Sequence, residues 1–175
     1  LQNDPVVTKI RSSLVKRTIS DLRKKLNSDK TDYTSFWNSF GPVLKEGIYE
    51  DVERKESLLE IALFKQSASS ELITLDEYIS NMQKKQKDIY FITGDNYESV
   101  INNPSLEGYK SRNINVLILD DPVDSFWTSS TPSYKEKNFK SVTQGIDDLD
   151  KLGKKTEEDI NEKSVDSLLV FLKEK

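Results

Sequence analysis

The residues most able to do chemistry are three closely spaced carboxylates. Asp120, Asp121 and Asp124 lie within five positions of the sequence, and carboxylates grouped in this way can bind Mg²⁺. The plainer interpretation is that Asp121 caps a helix whose first residue is Pro122, while the positive end of the helix dipole favours Asp124. Because Pro is common at the first helical position, we favour the cap and predict no metal site.

Gly94 raises the question of a phosphate-binding turn. It follows an apolar run and precedes Asp95 and Asn96, where a new helix could begin and present its amides to an anion. The sequence contains neither a G-x-G-x-x-G nor a G-K-[ST] pattern. We therefore expect a tight strand-to-helix turn with a polar cap rather than a nucleotide site.

Two residue types that carry much of enzyme chemistry are absent. The chain of 175 residues contains no His and no Cys, which excludes zinc knuckles, thiol nucleophiles and the commonest general base. A carboxylate or lysine mechanism stays open on composition alone. With no motif to support one, we predict no catalytic, cofactor-binding or metal-binding residues and no enzymatic activity for this chain.

Phe126 and Trp127 are candidates for recognition. On a helix, adjacent side chains point about 100° apart, so one narrow apolar stripe can hardly bury both. One interpretation is an exposed aromatic surface that contacts apolar segments of other proteins, since aromatic rings offer large contact area at low entropic cost. The alternative is that one or both pack under the loop near residues 132–134.

Composition limits the possible partners. Charged residues make up 32% of the chain and hydrophobic residues 35%, with 26 basic and 30 acidic side chains and a net charge of −4. The two signs are interspersed, so no positive field favours nucleic acid or an anionic membrane. No segment approaches the roughly 20 apolar residues that span a bilayer, and the first residues do not resemble a signal peptide. We predict a cytoplasmic protein.

The first 66 residues predict three helices. Asp4 and Pro5 are typical of a helix start, and apolar residues continue at spacings of three and four until a break at 27–29. A second helix should begin at 31 or 32, with Gly41 and Pro42 causing a kink or a stop. A third is expected over about 51–64. Three aromatic residues of the second helix are predicted to lie in the core: Phe36, Trp37 and Phe40.

The pattern changes after an expected exposed loop at 67–70. Thr74 and Glu77 have the spacing of a capping box, in which each side chain bonds the backbone of the other residue. Short apolar runs predict strands near 89–93, 116–119 and 138–143, with a helix expected between each pair. Strands that are apolar on both faces and alternate with helices indicate a small, mainly parallel sheet in an αβα layer.

Several segments, in order, resemble the middle segment of the ninety-kilodalton heat-shock chaperones, the bacterial HtpG type in particular. The longest are DEYISNM at 76–82 with QKDIYFITGD at 86–95, NVLIL at 115–119 with DPVD at 121–124, and FWNSFG at 36–41 with LKEG at 44–47. KSVT at 140–143 resembles a further strand of that family. Three positions depart from the family pattern. Pro42 stands where the family continues a helix, Asn81 stands in place of an Arg, and Ser125 stands in place of an acidic residue.

The resemblance implies an α/β fold with three parts. These are a helical connector at 1–66, a small αβα subdomain at 71–150, and a polar linker and helix at 151–175 leading towards a dimerisation domain. It also implies part of an ATP-dependent chaperone, whose ATP and Mg site and catalytic Arg lie outside this chain. Unfolded client proteins, other domains of the same chain and a second full-length copy are the expected partners, with Phe126 and Trp127 as candidate client-binding residues. The alternative is a small αβα nucleotide-binding or enzymatic domain that shares only the layering.

Overall fold

Three helices form the first part of the chain. The structure, a computed structural model, describes residues 4–144 and 149. The helices are α1 (Pro5–Ser28), α2 (Lys30–Glu50) and α3 (Lys55–Ile61). Asp4 caps α1 by accepting a hydrogen bond from the Val6 amide, and Asp29 caps α2 through the Asp32 amide. These carboxylates define where the two long helices begin, and the predicted helical start is confirmed.

The predicted stop at Pro42 is wrong, because α2 continues through Pro42 to Glu50. Pro42 and Asn38 are both exposed, so water can reach the Asn38 carbonyl that lacks its helical donor. Gly41 faces the core, where an added Cβ would lie 2.8 Å from the Trp37 ring. Gly at this position therefore lets the indole pack flat on the helix.

One predicted core residue of α2 is wrong. Trp37 is buried and Phe36 is half-buried, but Phe40 is 53% exposed and stacks on Phe36 with a centroid distance of 5.2 Å. The buried row runs through Tyr33, Trp37 and Gly41 at spacings of four. Phe40 points about 100° away from Gly41, which places it outside the face that the rest of the protein covers.

The remaining elements alternate between strand and helix. In chain order they are β1 (Lys65–Gln66), α4 (Leu75–Ser80), β2 (Ile89–Thr93), α5 (Tyr97–Ile101), α6 (Glu107–Lys110), β3 (Leu117–Leu119), α7 (Asp124–Ser130), β4 (Ser133–Tyr134) and β5 (Lys137–Ser141). The predicted weak helix after Gly94 is instead divided between α5, a 3-10 turn at Pro104–Leu106 and α6. The capping box at the start of α4 is present as expected.

The five strands form one mixed sheet in the order β1-β3-β2-β5-β4. The central strands β3, β2 and β5 run parallel, with Phe91 opposite Leu117 on one side and Ser141 on the other. The two short edge strands β1 and β4 pair antiparallel. The α/β fold class with a mainly parallel sheet is confirmed.

Two apolar cores flank the sheet. The larger includes residues of α1, α2 and α3 together with residues of α4, α7 and the sheet. The smaller lies on the other side and includes Tyr90, Tyr109 and Val116. The larger core is continuous between the three N-terminal helices and the sheet, so packing joins them directly. The boundaries at 66, 71 and 150 stay a prediction, and the helix expected within 151–175 lies outside the described residues.

Candidate functional site

The structure separates the two aromatic candidates. Phe126 is 58% exposed on the outer face of α7, whereas Trp127 is 0% exposed. The Trp127 ring packs against Phe64 and Phe139, with centroid distances of 5.7 Å and 5.4 Å. Tyr134, from the loop region expected to cover one of the pair, belongs to the same core. Because a side chain with no exposed surface cannot contact another protein, Trp127 is corrected to a core residue and Phe126 alone stays a candidate.

A buried ion-pair cluster connects α2 to the start of α7. Lys45 Nζ lies 2.6 Å from Asp121 Oδ2 and 2.9 Å from Asp124 Oδ1. Asp124 also accepts hydrogen bonds from Trp127 Nε1 at 2.7 Å and from the Asp121 backbone N–H at 3.1 Å. Lys45 is 4% exposed and Asp124 0%. Buried charges are tolerated only when paired and hydrogen-bonded, so Asp124 holds the two helices in one relative position.

The electrostatics of this cluster centre on Asp124. Burial raises the pKa of the Asp124 carboxyl above its ordinary value, while the Lys45 ammonium and the donated hydrogen bonds act in the opposite direction. The Lys45 ammonium also lies 5.4 Å from the centroid of the Phe64 ring, which bounds the cluster on its apolar side. One cation thus faces two carboxylates in a largely dry environment.

The cluster corrects the sequence-based interpretation of the acidic residues. Asp121 caps no helix, because α7 begins at Asp124 and shows no side-chain capping hydrogen bond. The Asp121 carboxylate pairs with Lys45 instead. Asp124 does lie in the first turn of α7, as expected from the helix dipole, but it is buried and pairs with Lys45. Within the described part of the chain, no group of three or more acidic side chains is arranged to hold a metal ion.

Sequence reasoning missed Lys45 as a site residue, although a signal was present. The buried residues of α2 include Tyr33, Trp37, Gly41 and then Lys45, at successive spacings of four. A lysine in a buried row must find a counter-charge, because an unpaired buried ammonium is very costly. That pattern could have indicated an internal carboxylate partner without identifying it.

A second, more exposed pair joins the start of α2 to α4. Lys30 Nζ lies 2.7 Å from both carboxylate oxygens of Glu77, whose side chain is 44% exposed. Burial raises the pKa of Glu77, but hydrogen bonds from Lys30 and from Thr74 outweigh burial, and the pKa lies below its ordinary value. Because water screens this pair, it contributes much less than the Lys45 cluster.

An apolar groove lies beside Phe126, between the end of α2 and the start of α7. The Phe126 and Tyr49 rings form its aromatic walls, with centroids 6.0 Å apart and planes inclined by 58°. Tyr49 is itself 50% exposed. The groove has a volume of about 320 Å³, and its full lining is Glu46, Tyr49, Glu50, Pro122, Val123 and Phe126.

The Gly94 backbone packs closely against the helix that follows it. An added Cβ on Gly94 would lie 2.2 Å from Val100 Cγ2, so the space above the turn is filled by the side chain that follows it. The Asn96 side chain accepts a hydrogen bond from the Ser99 amide at 2.9 Å and so caps the five-residue helix α5 itself. The expected strand-to-helix turn with a polar cap is confirmed.

Comparison with known proteins points to one family. A family model described as Hsp90 protein matches residues 1–175. The chain is 46% identical over 152 residues to the chaperone protein HtpG of Paramagnetospirillum magneticum, covering 87% of this chain and 24% of that protein. It is 44% identical over 180 residues to the HtpG of Wolbachia sp. subsp. Brugia malayi, covering 98% and 28%. The chain therefore spans about a quarter of the length of these curated relatives.

The fold is similar to that of a solved structure described as the middle domain of a Plasmodium falciparum heat shock protein. The two share 34% identity with a TM-score of 0.72, over 77% of this chain and 57% of the other. Among the helices that the structure describes, none is both long and apolar enough to cross a membrane.

Proposed function

Because this chain belongs to the Hsp90 family and has its middle-domain fold, we propose that it is a segment of an ATP-dependent molecular chaperone. In this role it contributes client-binding surface and couples movements between domains. The whole protein would act in the cytoplasm as a homodimer in protein folding and the stress response. ATP and Mg would bind outside this chain, and the segment itself would do no chemistry.

The observation that carries this proposal is the exposure of Phe126 on a helix that is otherwise held rigidly. Its neighbour Trp127 is buried and donates to Asp124, which pairs with Lys45 of α2. The aromatic ring is therefore presented to solvent from a fixed backbone and loses little entropy when it binds. Together with Tyr49 it forms an exposed apolar surface of the kind that marks protein interaction sites.

The coupling role rests on the same cluster. Lys45 lies in α2, and both of its partners lie beyond β3, at the start of the α7 region. A displacement of α2 must either carry α7 with it or separate a buried ion pair, and separation is costly. Movement imposed on the helical connector would thus reposition Phe126.

Client binding can be tested by aggregation. The 175-residue chain is mixed with a heat-labile client, and light scattering is followed on heating. We expect the chain to delay aggregation and Phe126→Ala to lose most of that effect, because the variant removes the exposed ring. Phe40→Ala is the matched control, since Phe40 is also exposed and also stacks on one aromatic neighbour. Circular dichroism checks that both variants stay folded.

Two outcomes would contradict the proposal. Equal protection by Phe126→Ala and Phe40→Ala would place client binding elsewhere, and no protection by the parent chain would remove it from this segment. Calorimetry with ATP and Mg²⁺ tests the alternative of a small αβα nucleotide-binding domain. We expect no heat of binding, because the sequence contains neither a G-x-G-x-x-G nor a G-K-[ST] pattern.

A further inference from the structure

The groove beside Phe126 carries an uncompensated negative charge. Glu46 and Glu50 form part of its lining, and both are exposed. They lie four residues apart in α2, so their carboxylates project from the same side of the helix. Neither has an ion-pair partner among the residues described by the structure, and like charges at this spacing repel.

The nearest lysine in the sequence does not neutralise them. Lys45 is 4% exposed, and its ammonium is already shared between Asp121 and Asp124. One cation against two carboxylates leaves this cluster without positive charge to spare, and the Asp121 side chain is still 34% exposed. The groove therefore combines aromatic walls with an acidic rim.

We propose that this groove selects extended client segments in which an apolar side chain is flanked by lysine or arginine. The inference rests on the proposed client-binding function and specifies its substrate class. The apolar side chain would lie between the rings of Phe126 and Tyr49, and the flanking cations would meet Glu46 and Glu50. Arginine and lysine also interact favourably with aromatic faces, which adds to the preference.

Charge complementarity selects this occupant over others. An acidic segment would be repelled by Glu46 and Glu50, and nucleic acid or an anionic membrane surface would be repelled for the same reason. A neutral apolar segment would bind through the rings alone. The selectivity is therefore a difference between segments that share an apolar centre and differ only in the flanking charge.

The test uses three fluorescent peptides with the same leucine- and phenylalanine-containing centre, flanked on both sides by lysines, by serines or by glutamates. Fluorescence anisotropy measures the Kd of each for the 175-residue chain. We expect the lysine-flanked peptide to bind about fivefold more tightly than the serine-flanked one, as two exposed ion pairs would give. The glutamate-flanked peptide should bind most weakly, and added salt should reduce the differences.

Charge-neutral variants identify the source of the preference. In Glu46→Gln/Glu50→Gln the ratio of the lysine to the serine affinities should fall to about one, because both ion pairs are lost. Glu98→Gln/Glu107→Gln changes the net charge equally at exposed positions outside the groove and should keep the ratio. The inference is overturned if Glu46→Gln/Glu50→Gln keeps the ratio of the lysine to the serine affinities. It is also overturned if Glu98→Gln/Glu107→Gln lowers that ratio equally.

The two proposals fail in distinguishable ways. If all three peptides bind equally and Phe126→Ala weakens all of them, the groove binds clients without charge selection, and only this inference is wrong. If no peptide binds and Phe126→Ala protects the heat-labile client as well as the parent chain does, the groove is not a client site. Both proposals then fall.

Discussion

Replacing Lys45 with Met removes the cation of the buried cluster while keeping a side chain of similar length. Asp124 is 0% exposed and would retain a negative charge with no counter-ion. The energetic cost of the lost ion pair would be smaller at Asp121, because about a third of its side chain is exposed to water. Removing one partner of a buried ion pair costs about 3–5 kcal/mol. We expect the free energy of unfolding to fall by about 3 kcal/mol at pH 7. The value lies at the low end of the range because Asp124 keeps two other hydrogen bonds.

The stability lost in Lys45→Met should decrease as the pH falls. Burial raises the pKa of Asp124, and Lys45 opposes that shift, so the variant raises this pKa further. A carboxyl whose folded pKa exceeds its unfolded value of about 3.9 destabilises the protein above the folded pKa. As the pH falls from the folded pKa to the unfolded pKa, the group takes up a proton in the folded state and the penalty is progressively lost. The difference in unfolding free energy between Lys45→Met and the parent chain should therefore narrow as the pH falls from 7 towards the unfolded pKa of about 3.9.

Urea unfolding provides the measurement. Trp37 and Trp127 are both buried, so their fluorescence reports unfolding alongside circular dichroism. Asp124→Asn completes a double-mutant cycle, because Asn keeps an oxygen for the Trp127 N–H. We expect a coupling energy of about 2 kcal/mol between the two positions. Lys24→Met is the control, since Lys24 is 76% exposed and, among the described residues, pairs only with Asp21 at 3.3 Å.

Any of three results would contradict a stabilising role for the Lys45–Asp124 pair. The first is that Lys45→Met destabilises the protein no more than Lys24→Met does. The destabilisation by Lys24→Met should stay below about 0.5 kcal/mol. The second is a loss of stability that does not change between pH 7 and the unfolded pKa of about 3.9. The third is an additive cycle, which would mean that Lys45 and Asp124 do not stabilise each other.

Three further substitutions test local features. Glu77→Gln removes the charge that pairs with Lys30 and should cost about 0.5 kcal/mol at pH 7. Because the folded pKa of Glu77 lies below its unfolded value, that cost should vanish in urea titrations as the pH falls through the folded pKa. Gly94→Ala should destabilise by about 1–3 kcal/mol in thermal unfolding, and an added Val100→Ala should restore part of the loss. Glu136→Gly should stabilise by about 1 kcal/mol in urea unfolding, since Glu136 has a φ of 64°.

Signals that depend on neighbouring residues were readable in the sequence. The capping box of Thr74 and Glu77, the cap by Asn96 and the start of α1 at Asp4 were all predicted and are all present. Each joins groups within four positions of one another, so the sequence contains both partners. The alternation of buried strands with helices likewise predicted the sheet and its mainly parallel direction.

Exposure of single side chains was decided by the tertiary structure. Phe40 was expected in the core and is exposed, while Phe126 and Trp127 were indistinguishable in sequence and have opposite environments. Helical periodicity shows the direction in which a side chain points. The width of the covered face depends on which other elements pack against the helix, and that is a long-range property.

The ion-pair cluster of the candidate site also depends on long-range packing, which the sequence does not show. The sequence showed a group of aspartates after a predicted strand, but Lys45 was not recognised as their partner. It could not show that Lys45 meets Asp121 and Asp124, which lie 76 and 79 residues further along the chain. Only the packing of α2 on α7 brings these groups together, because an ion pair between distant residues forms where the fold removes both from water.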